Sequence, residues 1–564
     1  MKNIIYLFIS GILLSIFACT SDFEKINTNP NAITPEEASA RYFITKAEYK
    51  LYAPSRYYYW RANLIHADRF AGYFCFGNHG SWWNDELGYK FHGGYTQASW
   101  EMYGSYFNFI NTYLKLTEPG GDFENELSHA VGVILQSLYY QQYTDVFGNV
   151  PYSEAGDPTV LLPKFDAQKD IYKGLIDALT GAVNTIGDAT KTGEGVEDLG
   201  ENDILFKGDL QKWKAFANSL KLRIAMRALG APGADFAQAA VKEALNGPLL
   251  ETEDALVDKD NGINQYNSSS YGDIWIRFGG LGSKWKVSQT LINYLQKNQD
   301  PRLGAYAEPA PGGEVTISRP AKDKDSLGWA LFPKRLDYIK SVLDDAGAQY
   351  TVQENDLDYT ITMAENTYYV GQPTRLNGFV KPLARFEFFS NPSKSIIGMD
   401  PDDDNINAEI VLTSAEVYFN RAEAILRGLA SGDAQSMYEN GLRAAMKLYK
   451  IDDASIDQFI ASSPMGKLKG SQEEMLEQIN VQKWIANYTE GFEGWATVRK
   501  SGFPKELANG VSDIDIYGLG DINGAYPTRM QYGPKSYDLN GASVEAANAA
   551  QGPDQMDTKL WWQK

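Results

Sequence analysis

The sequence predicts a mainly α-helical protein whose helices alternate with long, loop-rich stretches. Three observations carry this reading. Apolar residues recur at helical spacing in several long segments. Cap residues and glycines punctuate the ends of these segments, and stretches rich in Gly, Pro, Asn and Asp separate them. In chain order, Glu126 to Tyr143 and Gln168 to Ile186 read as helices, followed by Asp209 to Leu229. In the third, Trp213, Phe216, Leu220 and Ile224 share one face, and Asp209 is placed to accept from the first free N–H groups. Val411, Ala415, Tyr418, Ala422, Ile425 and Leu429 step alternately by four and three and predict another helix, closed by Gly428 and Gly432. Gln472 to Tyr488 predicts a further one. Paired helices of this length are the units of helical-repeat proteins, which bury their apolar faces only against neighbours. No clean repeat period is visible in the sequence. Gly247 to Gly282, Ala305 to Leu336 and Gly502 to Lys564 read as long loops, and such loops in a compact protein usually carry function. No linker divides the chain, so 41–564 reads as a single domain.

Composition narrows the function. The 564 residues carry a formal net charge of -20 and are 43% hydrophobic. The pI near 4.8 leaves no long-range positive field for phosphates, which argues against nucleic acid as a partner. Aromatic residues reach 13%, with 35 Tyr and 12 Trp; most read as core, and the excess of Tyr and Trp is also what an apolar, hydrogen-bonding ligand surface requires. The two cysteines, Cys19 and Cys75, are too few for a secreted disulfide scaffold.

The first residues set the compartment. Lys2 precedes an apolar run from Ile4 to Phe17, which ends in Ala18-Cys19. This is the order of a signal peptide, and the run is too short to be a comfortable membrane span. Residues 1–18 therefore read as a lipoprotein leader and Cys19 as the lipidated residue, with a simple secretory leader as the competing reading. Residues 19–40 read as a tether, polar and containing Pro30. Each buried methylene of an acyl chain contributes about 0.8 kcal/mol to anchoring. Asp22 and Glu24 resemble the surface-export signal of Bacteroidetes lipoproteins. Once Cys19 is lipidated, Cys75 has no partner and reads as a buried free thiol.

Five segments, in order, resemble the SusD/RagB family. They are Thr144 to Ala155 with Lys164 to Tyr172; Gly208 to Arg223; Asp300-Pro301-Arg302-Leu303; Ala415-Glu416-Val417 with Ala422-Glu423-Ala424; and Gln482 to Pro504. The terminal Trp561-Trp562 also fits. Asn149 stands where an acidic residue is common, and Lys500-Ser501 where Arg-Thr is more usual. The resemblance implies a tetratricopeptide-like helical scaffold under a loop-rich, ligand-binding half. It implies a cell-surface lipoprotein of the outer membrane that captures oligosaccharides, or in some members peptides. Its implied partner is a SusC-like, TonB-dependent barrel, and no catalysis is implied. The motifs themselves read as folding elements: Trp213, Leu220 and Leu222 as core, Asp145 and Asn218 as hydrogen-bonding to loop backbone.

The ligand face is then sought among aromatic loops. Tyr73, Trp82 and Trp83 lie in one aromatic stretch, with Asn84 and Asp85 beside them. Aromatic faces stack on the C–H faces of a sugar while carboxamides and carboxylates bond its hydroxyls. A second cluster holds Tyr271 and Trp275 with Tyr266, Arg277 and Phe278, and Trp329 adds a third position. The competing reading is that each Trp fills core.

No Gly-x-Ser-x-Gly elbow, P-loop or His-Glu-x-x-His helix is present. A glycoside hydrolase would need only two placed carboxylates and stays as an alternative to capture of sugars or peptides. No cofactor is expected. His66, His79 and His92 are evenly spaced but too far apart for a usual pair of zinc ligands. Asp400 to Asn405 is acidic, and Ca²⁺ is its conceivable ligand, yet Asn405 and Val411 replace the Gly and Glu of an EF-hand.

Overall fold

The computed structural model describes residues 38–52, 58, 60–76, 89–259, 274–275, 278–399 and 406–564. Helix α1 (Arg41–Tyr49) packs on α2 (Gly93–Thr117), and between them lie a π-helical stretch (Trp60–Ala67) and strand β1 (Phe74–Phe76). Helices α3 (Glu126–Phe147), α4 (Gln168–Ile186), α5 (Leu210–Ala228) and α6 (Phe236–Asn246) follow, each packed on the one before. The caps are local. Asn125 accepts from the N–H groups of Leu127 and Ser128, and Asp209 accepts from those of Gln211 and Lys212. Gly148, at φ 87°, ends α3 in a conformation a side chain disfavours. Trp213, Phe216, Leu220 and Ile224 are all fully buried, as their spacing predicts.

Strands β2 (Ala255–Val257) and β3 (Trp285–Val287) lead into α7 (Gln289–Lys297). Next come β4 (Gly313–Ser318), α8 (Ser326–Asp345), β5 (Tyr350–Asn355), β6 (Asp358–Met363) and β7 (Glu409–Leu412). A second helical run closes the chain: α9 (Ser414–Leu426), α10 (Ala434–Lys447), α11 (Asp453–Ser462), α12 (Gln472–Ala486), α13 (Gly491–Ser501) and α14 (Pro534–Gln551). Helix α9 packs on α10, α12 and, across the two runs, α5. The mainly helical, repeat-like scaffold is therefore present.

Two expectations change. Val411 is strand rather than helix: β7 pairs antiparallel with β2, and Thr413 caps α9 by accepting from the N–H of Glu416. The stretches read as loops at 305–336 and 502–564 also contain regular elements. Strands β4, β6 and β5 form an antiparallel sheet in that order. Val315 and Ile317 of β4 alternate with exposed neighbours and join Phe332, Ile339 and Leu343 of α8 in a separate core. Pro333 hides α8 in the sequence, because it cannot donate to the carbonyl four residues earlier. That carbonyl, of Trp329, accepts instead from Nε and Nη2 of Arg319, at 3.0 and 2.7 Å.

The motifs of the resemblance meet inside the scaffold. Arg223 of α5 donates twice to Glu416 of α9, both at 2.7 Å. Arg227 donates to Asp145 of α3 and to Glu493 of α13. Gln141 donates to the same two carboxylates at 2.7 and 2.8 Å, and Trp562 Nε1 donates to Asp145 at 2.9 Å. With the Tyr172 hydroxyl also donating to it, Asp145 bonds four side chains, those of Gln141, Tyr172, Arg227 and Trp562, through its carboxylate, rather than the loop backbone expected of it. Burial opposes charge on Glu493, but Arg223 and Arg227 hold its carboxyl below the usual range. Asp300 and Arg302 form a second buried pair that reaches Gln482 at 2.6 Å.

Candidate ligand-binding face

The face is built on a short ribbon. β1 pairs antiparallel with β3, with Phe74 opposite Val287, Cys75 opposite Lys286 and Phe76 opposite Trp285. All six residues are buried. Phe76 is where the first aromatic stretch leaves the ribbon, and the second stretch enters through Trp275 and Phe278. The Phe278 ring lies 5.9 Å from Phe76, 6.3 Å from Trp285 and 6.4 Å from Trp60. Two stretches two hundred residues apart thus converge on one aromatic cluster. Trp275 packs at its edge and is half-buried, with Gly280 so near that an added Cβ would lie 3.4 Å from the indole.

Sequence reasoning missed the contribution of Trp60 and Arg61, which meet Tyr95 at the far end of the first aromatic stretch. Trp60 meets Tyr95 edge-on at 6.3 Å, and the Arg61 guanidinium sits 4.5 Å from the Trp60 centroid. Only the aromatic content hinted at Trp60, because the π-helical stretch that carries it and Arg61 has no helical stripe to read.

The named candidates have different fates. Tyr73 is a correction: it is fully buried, stacks on Trp484 at 5.5 Å and donates its hydroxyl to the Trp484 carbonyl at 2.5 Å. It has no face open to a ligand. Trp329 opens α8 in the separate sheet-and-helix unit, with Arg319 at 3.8 Å and Lys322 at 4.9 Å from its ring centroid. Trp82, Trp83, Asn84, Asp85 and Tyr271 lie outside the described residues, as do Cys19 with its leader and the acidic run Asp400 to Asn405.

Lys286 is buried and donates to Asn391 Oδ1; burial pushes its ammonium down to about 7. Cys75 is a buried free thiol, as expected, and burial pushes it up to about 12. His66 is buried with Nδ1 2.6 Å from the Arg61 carbonyl, and His92 accepts from the N–H of Tyr95 at the start of α2. Among the described residues no group of three or more His, Cys, Asp or Glu is placed to hold a metal ion. No helix among them is long and apolar enough to cross a membrane.

A family profile for SusD-like proteins, described as "Starch-binding associating with outer membrane", matches residues 30–318 and 344–533. The chain belongs to the SusD-like family. Among solved structures, a chitin-binding protein superimposes with a TM-score of 0.70 at 24% identity, covering 94% of this chain and 100% of that one. A SusD homologue from Bacteroides uniformis gives 0.68 at 21% identity, with 93% and 99% covered. A SusD-like protein from Bacteroides thetaiotaomicron also gives 0.68 at 21%, with 93% and 98% covered. Comparison with curated proteins finds no match. In this SusD-like chain the unmatched stretch, 319–343, carries most of α8, including Trp329 and Tyr338.

Proposed function

We propose that the protein is a lipid-anchored, cell-surface protein that captures oligosaccharides and passes them to a SusC-like, TonB-dependent barrel in the outer membrane, catalysing nothing itself. Cys19 carries the anchor. The observation that supports capture is the aromatic cluster of Phe76, Phe278, Trp285 and Trp60, which roots both aromatic stretches beside the half-buried Trp275. Such a floor holds a stacking ring still, so a sugar binds without the cost of ordering the platform. The reading assigns further stacking to Trp82 and Trp83 and hydroxyl bonding to Asn84 and Asp85. Affinity lies between about -4 and -8 kcal/mol, millimolar to micromolar, since a capture protein must also release.

Calorimetry on the mature chain carrying Cys19→Ala tests this reading, with starch- and chitin-derived oligosaccharides, other neutral glycans and a mixed peptide pool. A saturable glycan signal is expected, weakened at least about tenfold, or 1.4 kcal/mol, in Trp275→Ala. Chelation leaves it unchanged, because no cofactor takes part. Heat from peptides alone moves the assignment to peptide uptake. New reducing ends overturn the non-catalytic role. Co-purification of the lipidated protein with a large barrel checks the partner.

A further inference from the structure

We infer that the cleft between α7 and α8 is a second saccharide site, one that takes a short neutral oligosaccharide; the ligand class rests on the glycan-capture reading. The cleft encloses about 580 Å³. That falls within the roughly 300–1,000 Å³ of small-molecule sites. It does not belong to the aromatic face. That face opens where β1 and β3 end at Phe76 and Trp285, whereas α7 begins just past Val287, at the other end of the ribbon.

The walls are fixed before any ligand arrives. Tyr338 of α8 and Tyr517 of the C-terminal segment meet edge to face, with centroids 5.6 Å apart and planes at 83°. They make a right-angled aromatic corner. Opposite them, Tyr294 of α7 packs edge-on against Trp484 at 6.1 Å and donates its hydroxyl to Glu506 at 3.1 Å. The carboxamides of Gln289 and Asn293 line the same wall, one helical turn apart. Aromatic faces set among carboxamides suit a ligand that has both C–H faces and hydroxyls.

The charges argue for a neutral ligand. Arg375 is buried and spends its guanidinium on backbone, donating to the carbonyls of Gly518, Leu519, Gly524 and Ala525 at 2.7–3.1 Å. It pins the segment that carries Tyr517 and is not an anion anchor. Lys297, Asp345 and Glu506 are exposed at the lining and mixed in sign, so no strong single-sign field selects an ion.

Hydrogen exchange on the mature chain carrying Cys19→Ala, with maltotriose, chitotriose, cellotriose and xylotriose at millimolar concentration, tests the inference. At least one trisaccharide is expected to protect amides in 289–298 and 511–517. This protection is lost in Tyr338→Ala and in Asn293→Ala, and kept in Trp275→Ala. Asn293 is half-buried on α7, so its variant keeps the test valid if Tyr338→Ala melts early. Protection confined to 274–287 and abolished by Trp275→Ala overturns the second site and leaves glycan capture standing. Cleft protection by the peptide pool alone overturns the saccharide assignment. Absence of protection in both regions with every sugar overturns the cleft assignment and counts against glycan capture itself.

Discussion

Around Asp145 four helices meet on paired charges; around Trp275 two loops meet on aromatic rings. The first region joins Arg223, Arg227, Glu416 and Glu493, all buried, through directional bonds with defined partners. Removing one partner leaves a charge in a dry interior, so each position demands a particular side chain. The second region packs rings edge to face, with Phe76, Phe278 and Trp285 in mutual contact. The difference explains why the recognisable motifs belong to the scaffold.

The comparison can be broken or sharpened by substitution. Arg227→Met should have the largest effect, leaving Asp145 and Glu493 short of a counter-charge at a cost of about 3–5 kcal/mol in thermal or denaturant unfolding. A loss below about 1 kcal/mol would show that the charge network does not hold the scaffold. Lys286→Met comes next, with the opposite sign. Burial holds the Lys286 ammonium at about 7 in the folded protein. The ordinary lysine value is about 10.4, so between these values the unfolded chain binds a proton that the folded chain does not. The wild-type residue therefore costs stability at neutral pH, and the cost recedes as pH rises towards 10. The variant should be more stable by about 2–3 kcal/mol near pH 7 once the lost bond to Asn391 is counted, with the gap narrowing in melts at pH 9. Trp275→Ala should weaken glycan binding while moving stability by less than about 1 kcal/mol, since its ring is half-buried. The smallest effect is expected at α8. Arg319→Ala should cost about 1 kcal/mol by stripping the Trp329 carbonyl of its donors. Adding Pro333→Ala should restore part of that, because position 333 regains an N–H for the same carbonyl; a double-mutant cycle measures the coupling.

Much of the scaffold was legible from local rules. Helix α4 begins and ends where its apolar spacing does, Asp209 caps α5, and Cys75 is the buried thiol its solitude implied. The ligand face was less legible. Tyr73 and Trp275 both sit in aromatic-rich stretches, and nothing nearby distinguishes them. Tyr73 is sealed by Trp484, four hundred residues away, and by Gly494, whose bare backbone lets the phenol approach. Trp275 keeps an open portion because its neighbours are a ribbon end and Gly280. Val411 continued a helical stripe in the sequence, yet β2 drew its segment into a strand.

Sequence by itself determined which residues share a helix face, where most helices cap, and membership of a family whose motifs are scaffold contacts. These depend on neighbours within one or two turns, or on charge partners strict enough to leave a recognisable string. Only the tertiary structure decided which aromatic rings stay open, that α8 forms through Pro333 with Arg319 replacing the lost donor, and that separate segments enclose the cleft around Tyr294, Tyr338 and Tyr517. Exposure and enclosure are set by long-range packing, and spacing along the chain carries no record of what will cover a side chain.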